Sequence, residues 1–329
     1  MTSQTMASRL RTHVASAMIV LMAFAGPAVG QNYPNRPIML MVSTTAGASP
    51  DLIARLFARQ LSEGLKTPVV VENKGGANGQ IAVQTIADAA PDGYTFLATT
   101  GATLAINPTL HPQTAQLVMM QLAPVTQLAR QDFVITARPA MNVRTLPELI
   151  AWSRKNPGKL NVATTAQGSI AYLTAQLFEQ AAGIEFVTVA HNGGEQAVIA
   201  MLNNSVDVLV ETITLSRQYI EAGKLVPIAA TGPTRSAFLP DVPTLTELNL
   251  DVQTSGWTAI VAPKNTPTEI MARVQQELSK GLQSSDLRMK LGDLCAEPII
   301  NSPDAFAREW KREAEMWEKV IKKVGIKLE

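Results

Sequence analysis

The chain has 329 residues, a formal net charge of +1 and a single cysteine, Cys295. Balanced charge without a basic stripe or a run of like charges argues against a nucleic-acid partner, and one cysteine leaves no internal disulfide to staple the fold. Aromatic residues are only 5% of the chain against 46% hydrophobic residues overall, so Ala, Val, Leu and Ile must build the core; this suits an α/β protein with many small strand–helix contacts.

In chain order, residues 1–30 read as a secretory signal peptide. Arg9 and Arg11 supply the positive region, residues 15–25 an apolar stretch too short to span a bilayer, and Ala28-Val29-Gly30 a small-residue cleavage signal before Gln31. A retained anchor is the alternative. No lipid-attachment cysteine is present, and no later stretch is long and apolar enough to cross a membrane. The mature protein is therefore expected to be soluble and periplasmic. The roughly 300 residues that remain suffice for two domains.

An apolar strand from Ile38 runs into a small, hydroxyl-rich loop, Ser43-Thr44-Thr45-Ala46-Gly47-Ala48. Ser49 then reads as a helix N-cap, Pro50 as the first helical position and Asp51 as a first-turn acid. Such a junction aims free backbone N–H groups at whatever lies beyond the strand end, which favours an anion. The spacing predicts a helix over 52–65, a strand over 68–71, a glycine-rich surface loop over 72–79 and a helix over 80–90. A strand over 94–98 opens into a second hydroxyl loop at 99–103, containing Thr100 and Gly101. Farther on, strands are expected at 133–137, 160–163, 185–190, 206–210 and 226–230, with helices at 146–155 and 170–182. A third loop, Thr164-Thr165-Ala166-Gln167-Gly168-Ser169, precedes the second of these helices. From 267 onward the pattern is largely helical, with Phe306, Trp310, Trp317 and Val320 on one apolar face. Strand, hydroxyl loop, helix start is thus a recurring device, and in open α/β sheets ligands sit beyond the carboxyl ends of the strands.

Several segments in this order resemble one family: 33–38 (Tyr-Pro-Asn-Arg-Pro-Ile), 68–73 (Pro-Val-Val-Val-Glu-Asn), 90–95 (Ala-Pro-Asp-Gly-Tyr-Thr), 105–108 (Ala-Ile-Asn-Pro), 156–161 (Asn-Pro-Gly-Lys-Leu-Asn), 222–225 (Ala-Gly-Lys-Leu), 239–244 (Leu-Pro-Asp-Val-Pro-Thr), and Trp257 ahead of Ala262-Pro263. Together they resemble the Bug, or tripartite tricarboxylate transporter, extracytoplasmic solute receptors. The resemblance implies a two-lobed, periplasmic-binding-protein-like (Venus flytrap) α/β fold, each lobe a mostly parallel sheet flanked by helices. Residues 31–129 and 253–329 would form one lobe and 130–252 the other. It also implies a carboxylate held by backbone amides of residues 43–51 and 164–169, and delivery to membrane transporter subunits by a monomeric receptor. The first loop departs from the family's usual Pro-Phe-Ala-Pro-Gly-Gly-Ser-Thr-Asp: Ser43 and Thr44 replace Pro-Phe, Ala46 replaces the next Pro, and Ala48 replaces the second Gly. His191 and Asn192 stand where Tyr-Lys is common, and Glu211 where Asp is frequent.

The expected ligand contacts are therefore Ser43, Thr44, Thr45, Ala46, Gly47, Ala48, Ser49, Asp51, Thr100, Gly101, Thr164, Thr165, Gln167, Gly168, Ser169, His191, Asn192 and Glu211. No cofactor and no metal is expected: paired cysteines and a His-x-x-x-His are both missing. Catalysis is not expected either. His13 falls in the signal peptide, His111 in a loop, and no Gly-x-Ser-x-Gly accompanies His191. The alternatives are a carboxylate sensor that signals to a partner protein and, less favoured, a hydrolytic enzyme.

Overall fold

Residues 33–325 are described by a computed structural model, and those from Arg36 onward form one unit. The signal peptide expected at 1–30 lies outside the described residues. The first half begins with β1 (Ile38–Val42), α1 (Ser49–Leu65), β2 (Val69–Asn73), α2 (Gln80–Ala87) and β3 (Thr95–Thr100). A π-helical turn, Ala102–Ile106, then leads into α3 (Asn107–Leu110) and α4 (Pro112–Met120). β1 is apolar throughout and lies between β2 and β3, parallel to both, as a strand covered on both faces must be. α1 buries Ile53, Ala54, Phe57, Ala58, Leu61 and Leu65 at helical spacing.

The second half carries β4 (Leu122–Ala137), α5 (Leu146–Lys155), β5 (Asn161–Thr164), α6 (Ile170–Ala182), β6 (Val187–Ala190), α7 (Gly194–Leu202), β7 (Val208–Thr212), α8 (Ile213–Glu221) and β8 (Val226–Ala230). The chain then returns through β9 (Ser255–Pro263), α9 (Thr268–Gly281), α10 (Ser285–Asp293), β10 (Glu297–Pro298) and α11 (Pro303–Val324). Strand order is β2-β1-β3-β9-β4-β7-β5-β6.

The strand expected at 133–137 is only the last third of β4. Its first part pairs antiparallel with β9 as far as Asp132 opposite Ser255, and its last part, from Phe133 opposite Thr212, pairs with β7 and also with β8. One strand thus belongs to two sheets. The parallel core of the first is β2-β1-β3 and of the second β7-β5-β6, with the antiparallel strands β4 and β9 between them. The chain is therefore a two-lobed α/β protein. Helix α11 packs on both halves. Its Trp317, Val320 and Ile321 share a buried cluster with Ala105 and Ile106 of the π-helical turn and with Leu173 of α6. Of the apolar face expected at 306–320, Trp317 and Val320 are buried there, Phe306 is buried in a second cluster with Trp257, and the half-buried Trp310 packs against both.

Candidate functional site

The first loop is folded by a buried acid. The Asp51 carboxylate accepts the Gly47 N–H at 2.8 Å, the Asn73 Nδ2–H at 2.8 Å and the Arg55 Nε–H at 3.0 Å on both oxygens. Asn73 also donates to the Thr44 carbonyl at 3.1 Å. Asp51 therefore faces its own loop, with its lone pairs occupied. Gly47 takes the left-handed φ of 84°, which glycine tolerates, so Ala48 keeps an ordinary extended backbone at φ −65°. Ala48, rather than Ser49, holds the cap position. The Ser49 hydroxyl bonds instead with the Gln131 side-chain amide, which reaches on to Thr214 Oγ1 at 3.0 Å. The first α1 N–H to find a helical carbonyl is that of Leu52, on Ala48 at 3.0 Å, which leaves the N–H groups of Ser49 and Asp51 without one. Thr44 Oγ1 is buried without a hydrogen-bond partner among the described residues.

The glycine-rich segment expected to be surface loop is exposed at residues 76–78, as expected, but its Gly75 and Gly79 pack against this junction. A Cβ on Gly75 would lie 3.2 Å from the Thr45 nitrogen, and one on Gly79 would lie 2.7 Å from Thr103 Oγ1 and 3.3 Å from Ser43 Cβ. Ser43 Oγ bonds Thr99 Oγ1 at 2.8 Å, and Asn107 donates to the Asn78 carbonyl at 2.6 Å. The loops after β1, β2 and β3 therefore form one wall. Glycine density was the available signal for the middle one, but its role depends on close backbone approach, which spacing alone does not show. Within the wall, Thr100 Oγ1 accepts the Thr103 N–H at 3.3 Å and turns the third strand end.

On the second sheet, Thr164 ends β5 and the loop closes onto α6. Gly168 adopts φ 81°, Thr165 donates to Ser169 Oγ at 2.7 Å, and that oxygen caps the Tyr172 N–H at 3.1 Å. The first helical bond runs from Leu173 to Ser169, leaving the N–H groups of Ile170 and Ala171 open. Ala166 and Gln167 are exposed. Leu173 of α6 and Ala105 and Ile106 of the turn after β3 belong to one buried cluster with Trp317, Val320 and Ile321, so α11 links the segments that follow β3 and β5.

His191, Asn192 and Glu211 lie at the same edge of the second sheet as Thr164, by the pairing of Thr164 with Ala190 and of Ala163 with Leu209. Asn192 is exposed, and the half-buried His191 ring sits 3.0 Å from its own strand's Val189 carbonyl. Glu211 is buried beneath the start of α7. Its Oε1 accepts the Thr212 N–H at 2.7 Å, while Oε2 has no hydrogen-bond partner among the described residues and would lie 2.6 Å from a Cβ on Gly194. Burial pushes its pKa up, against the opposing bonds from Thr212. A raised folded pKa means that the folded state holds the proton more tightly, so stability is lost as pH rises from the ordinary carboxylate range through the folded value. Glu211→Gln is expected to flatten that loss. Urea titrations of both proteins at pH 5 and pH 8 check it, and equal pH slopes would count against the burial argument.

A cavity of about 420 Å³ opens elsewhere, where α11 crosses β9, lined by Arg130, Gln253, Trp257, Asn301, Glu313 and others; none of the expected contacts lines it. Among the described residues, no helix is long and apolar enough to cross a membrane and no cluster of three or more His, Cys, Asp or Glu is placed to hold a metal.

Two α/β lobes sharing one strand, with helix starts gathered where their parallel strands end, make up the fold of periplasmic binding proteins. The model of the tripartite tricarboxylate transporter family receptors matches residues 53–326, and the chain belongs to that family of solute receptors. It is 32% identical to Protein BugT of Bordetella pertussis over 317 residues, 96% of this chain and 97% of that one. A Rhodopseudomonas palustris protein solved with adipate is 30% identical, with a TM-score of 0.77 over 90% of this chain and 99% of its own. MatC from Rhodopseudomonas palustris, solved with bound malate, is 28% identical, with a TM-score of 0.72 over 88% of this chain and 100% of its own.

Proposed function

We propose that this protein is a periplasmic receptor that captures a small organic carboxylate between its lobes and delivers it to the membrane subunits of a tripartite tricarboxylate-type transporter. The lobe boundaries expected at 129/130 and 252/253 then fall a few residues later, at the crossings Asp132–Phe133 and Thr254–Ser255. The observation that carries the reading is a pair of open helix starts that follow parallel strands of different sheets. The N–H groups at Ser49–Asp51 and at Ile170–Ala171 find no helical carbonyl, and α11 links the turn after β3 to α6 through one buried cluster. Each hydrogen bond to a charged group contributes about 1.5–3 kcal/mol, so a few such donors suffice for micromolar binding without an arginine. The ligands of the two Rhodopseudomonas relatives, adipate and malate, are of this chemical class.

In this reading Thr44, Thr45, Ala46, Gly47, Ala48, Ser49, Thr100, Gly101, Thr164, Thr165, Gln167, Gly168 and Ser169 surround the carboxylate, while Asp51 and Ser43 hold the wall from behind. His191, Asn192 and Glu211 form the far end, where ligand choice is made. Lobe closure follows from contacts made by one ligand to both sides.

A thermal-shift panel of dicarboxylates, tricarboxylates, aromatic acids and amino acids on the mature protein tests this. A ligand at one hundred times its Kd adds about 2.7 kcal/mol of stability, a rise of about 4–5 °C for a chain of this size. A flat panel would remove the receptor reading, and turnover of any member would replace it with an enzyme. Loss of uptake of the shifting acid in cells lacking the protein separates transport from sensing.

A further inference from the structure

We propose that Trp257 and Glu313 are a positioning pair for the ligand loop after β3, fixing Thr100 and Gly101 where they can meet a carboxylate; this rests on the site reading given above. The starting observation is Gly101 itself. Its backbone is ordinary right-handed helix, φ −56° and ψ −36°, so nothing conformational calls for glycine there. What calls for it is the indole. A Cβ on Gly101 would lie 2.7 Å from Trp257 Cε2 and 2.9 Å from Nε1. Real Cβ atoms do not come that close, so the Trp257 ring rests directly on the Gly101 backbone and sets how far the turn can settle.

The ring in turn is held from α11. Trp257 Nε1 donates to Glu313 Oε2 at 2.7 Å, and the Phe306 ring meets the indole edge-on, with centroids 5.5 Å apart. Phe306 stacks on Trp310, whose Nε1 donates to the Leu104 carbonyl at 2.9 Å, inside the same π-helical turn that follows Gly101. The C-terminal helix therefore grips this loop at two points, once through an indole and once directly. Four turns' worth of one helix face, read from the sequence as packing alone, reaches a ligand loop more than 200 residues earlier in the chain.

Glu313 is an unusual choice for a purely structural anchor. It lines the cavity at the α11–β9 crossing, and burial, helped by Glu309, pushes its pKa up to about 7 against the Trp257 bond and Arg312. Arg130 lines the same cavity but is committed to Asp132 at 3.1 Å and to Glu297. A leucine at 313 would fill the space without the desolvation cost, so the acceptor is what the position supplies.

The test measures affinity by calorimetry on the mature protein with adipate, L-malate, succinate and benzoate, using whichever binds the wild type most tightly. Gly101→Ala is expected to weaken binding by about tenfold, and adding Trp257→Phe to recover part of that loss, because the smaller ring makes room for the Cβ; the two sites are in contact and should not act additively. Glu313→Leu is expected to weaken binding by about threefold or more, while Glu313→Gln, which keeps an oxygen for the indole, stays within about twofold of wild type. If Gly101→Ala and Glu313→Leu fold with single melting transitions and bind as the wild type does, the pair is core packing and the proposal is wrong. If the wild type binds none of the four acids, the strongest acid of the thermal-shift panel takes their place, and only a flat panel makes the receptor reading fail first and take this inference with it. The two failures are therefore told apart by the wild type alone.

Discussion

Asp51→Ala is expected to lower stability by about 2–4 kcal/mol and to abolish measurable carboxylate binding. The Asp51 side chain is 1% exposed, and alanine removes four hydrogen bonds from three donors, Gly47, Asn73 and Arg55. Without it, the Gly47 N–H and the Asn73 amide lose their acceptor, and the left-handed turn at Gly47 loses the bond that closes it. Arg55 is nearly half exposed, so its share is screened, and the loss comes mainly from the neutral donors. The pH dependence carries a definite sign. Burial alone would raise the Asp51 pKa, but the bonds from Arg55, Gly47 and Asn73 outweigh it and hold the carboxyl below its ordinary range. A depressed folded pKa contributes stability that is present above the unfolded value and lost as pH falls through the folded one. Wild type should therefore lose this contribution only in strong acid, and Asp51→Asn should lack that acid-dependent component. Urea unfolding at pH 7 and pH 3 measures both; an Asp51→Ala midpoint equal to wild type would show that the loop is held by something else.

Trp317→Ala is expected to cost about 3–5 kcal/mol, the usual range for deleting a fully buried large ring. Trp317 is 1% exposed, and its neighbours come from three places: Ala105 and Ile106 after the third strand, Leu173 in α6, and Val320 and Ile321 on its own helix. Its loss should therefore be felt in both segments that carry ligand loops. Hydrogen exchange should speed at residues 102–106 and 170–173 together, ahead of the β1–β3 core. A loss below about 1 kcal/mol, or exchange that quickens in one segment only, would mean the cluster does not join the two.

The sequence displayed most of the parallel strands and the helices that follow them, because an apolar run bounded by glycine or proline is a local signal. β1, α1 and the loop between them were legible for that reason, as was α6; that Ser169 caps it was not. β4 was seen only from Phe133 because its earlier part breaks the two-residue period. Pro124, Gln127, Arg130 and Gln131 interrupt the apolar pattern, and the pairing with β9 shifts between Pro124 and Thr126 and again between Gln127 and Ala129. β9 itself went unseen, since its partners β3 and β4 lie more than 100 residues upstream. Within the site, hydroxyls and glycines marked the loops, but their division of labour was not readable. Asp51 looked like a contact and proves to be bonded inside its own loop; Ser49 looked like a cap and is turned toward Gln131; Gly75 and Gly79 looked peripheral and line the wall. The Ser49, Gly75 and Gly79 outcomes depend on neighbours far away in sequence, whereas Asp51 is held mostly by residues four positions away, Gly47 and Arg55, with Asn73 added from the next strand.

β4 serves two sheets without a break, and that governs how the molecule comes apart as well as how it is built. No flexible tether separates the halves along this crossing. Pulling one sheet open strips hydrogen bonds from a strand that the other still needs, so the halves should melt as a single cooperative transition. A chain of this size with a looser joint would show two. Cooperativity of this kind also means that an acid bound at one edge is felt across the whole unfolding curve, which turns the melting temperature into a faithful gauge of what the receptor holds.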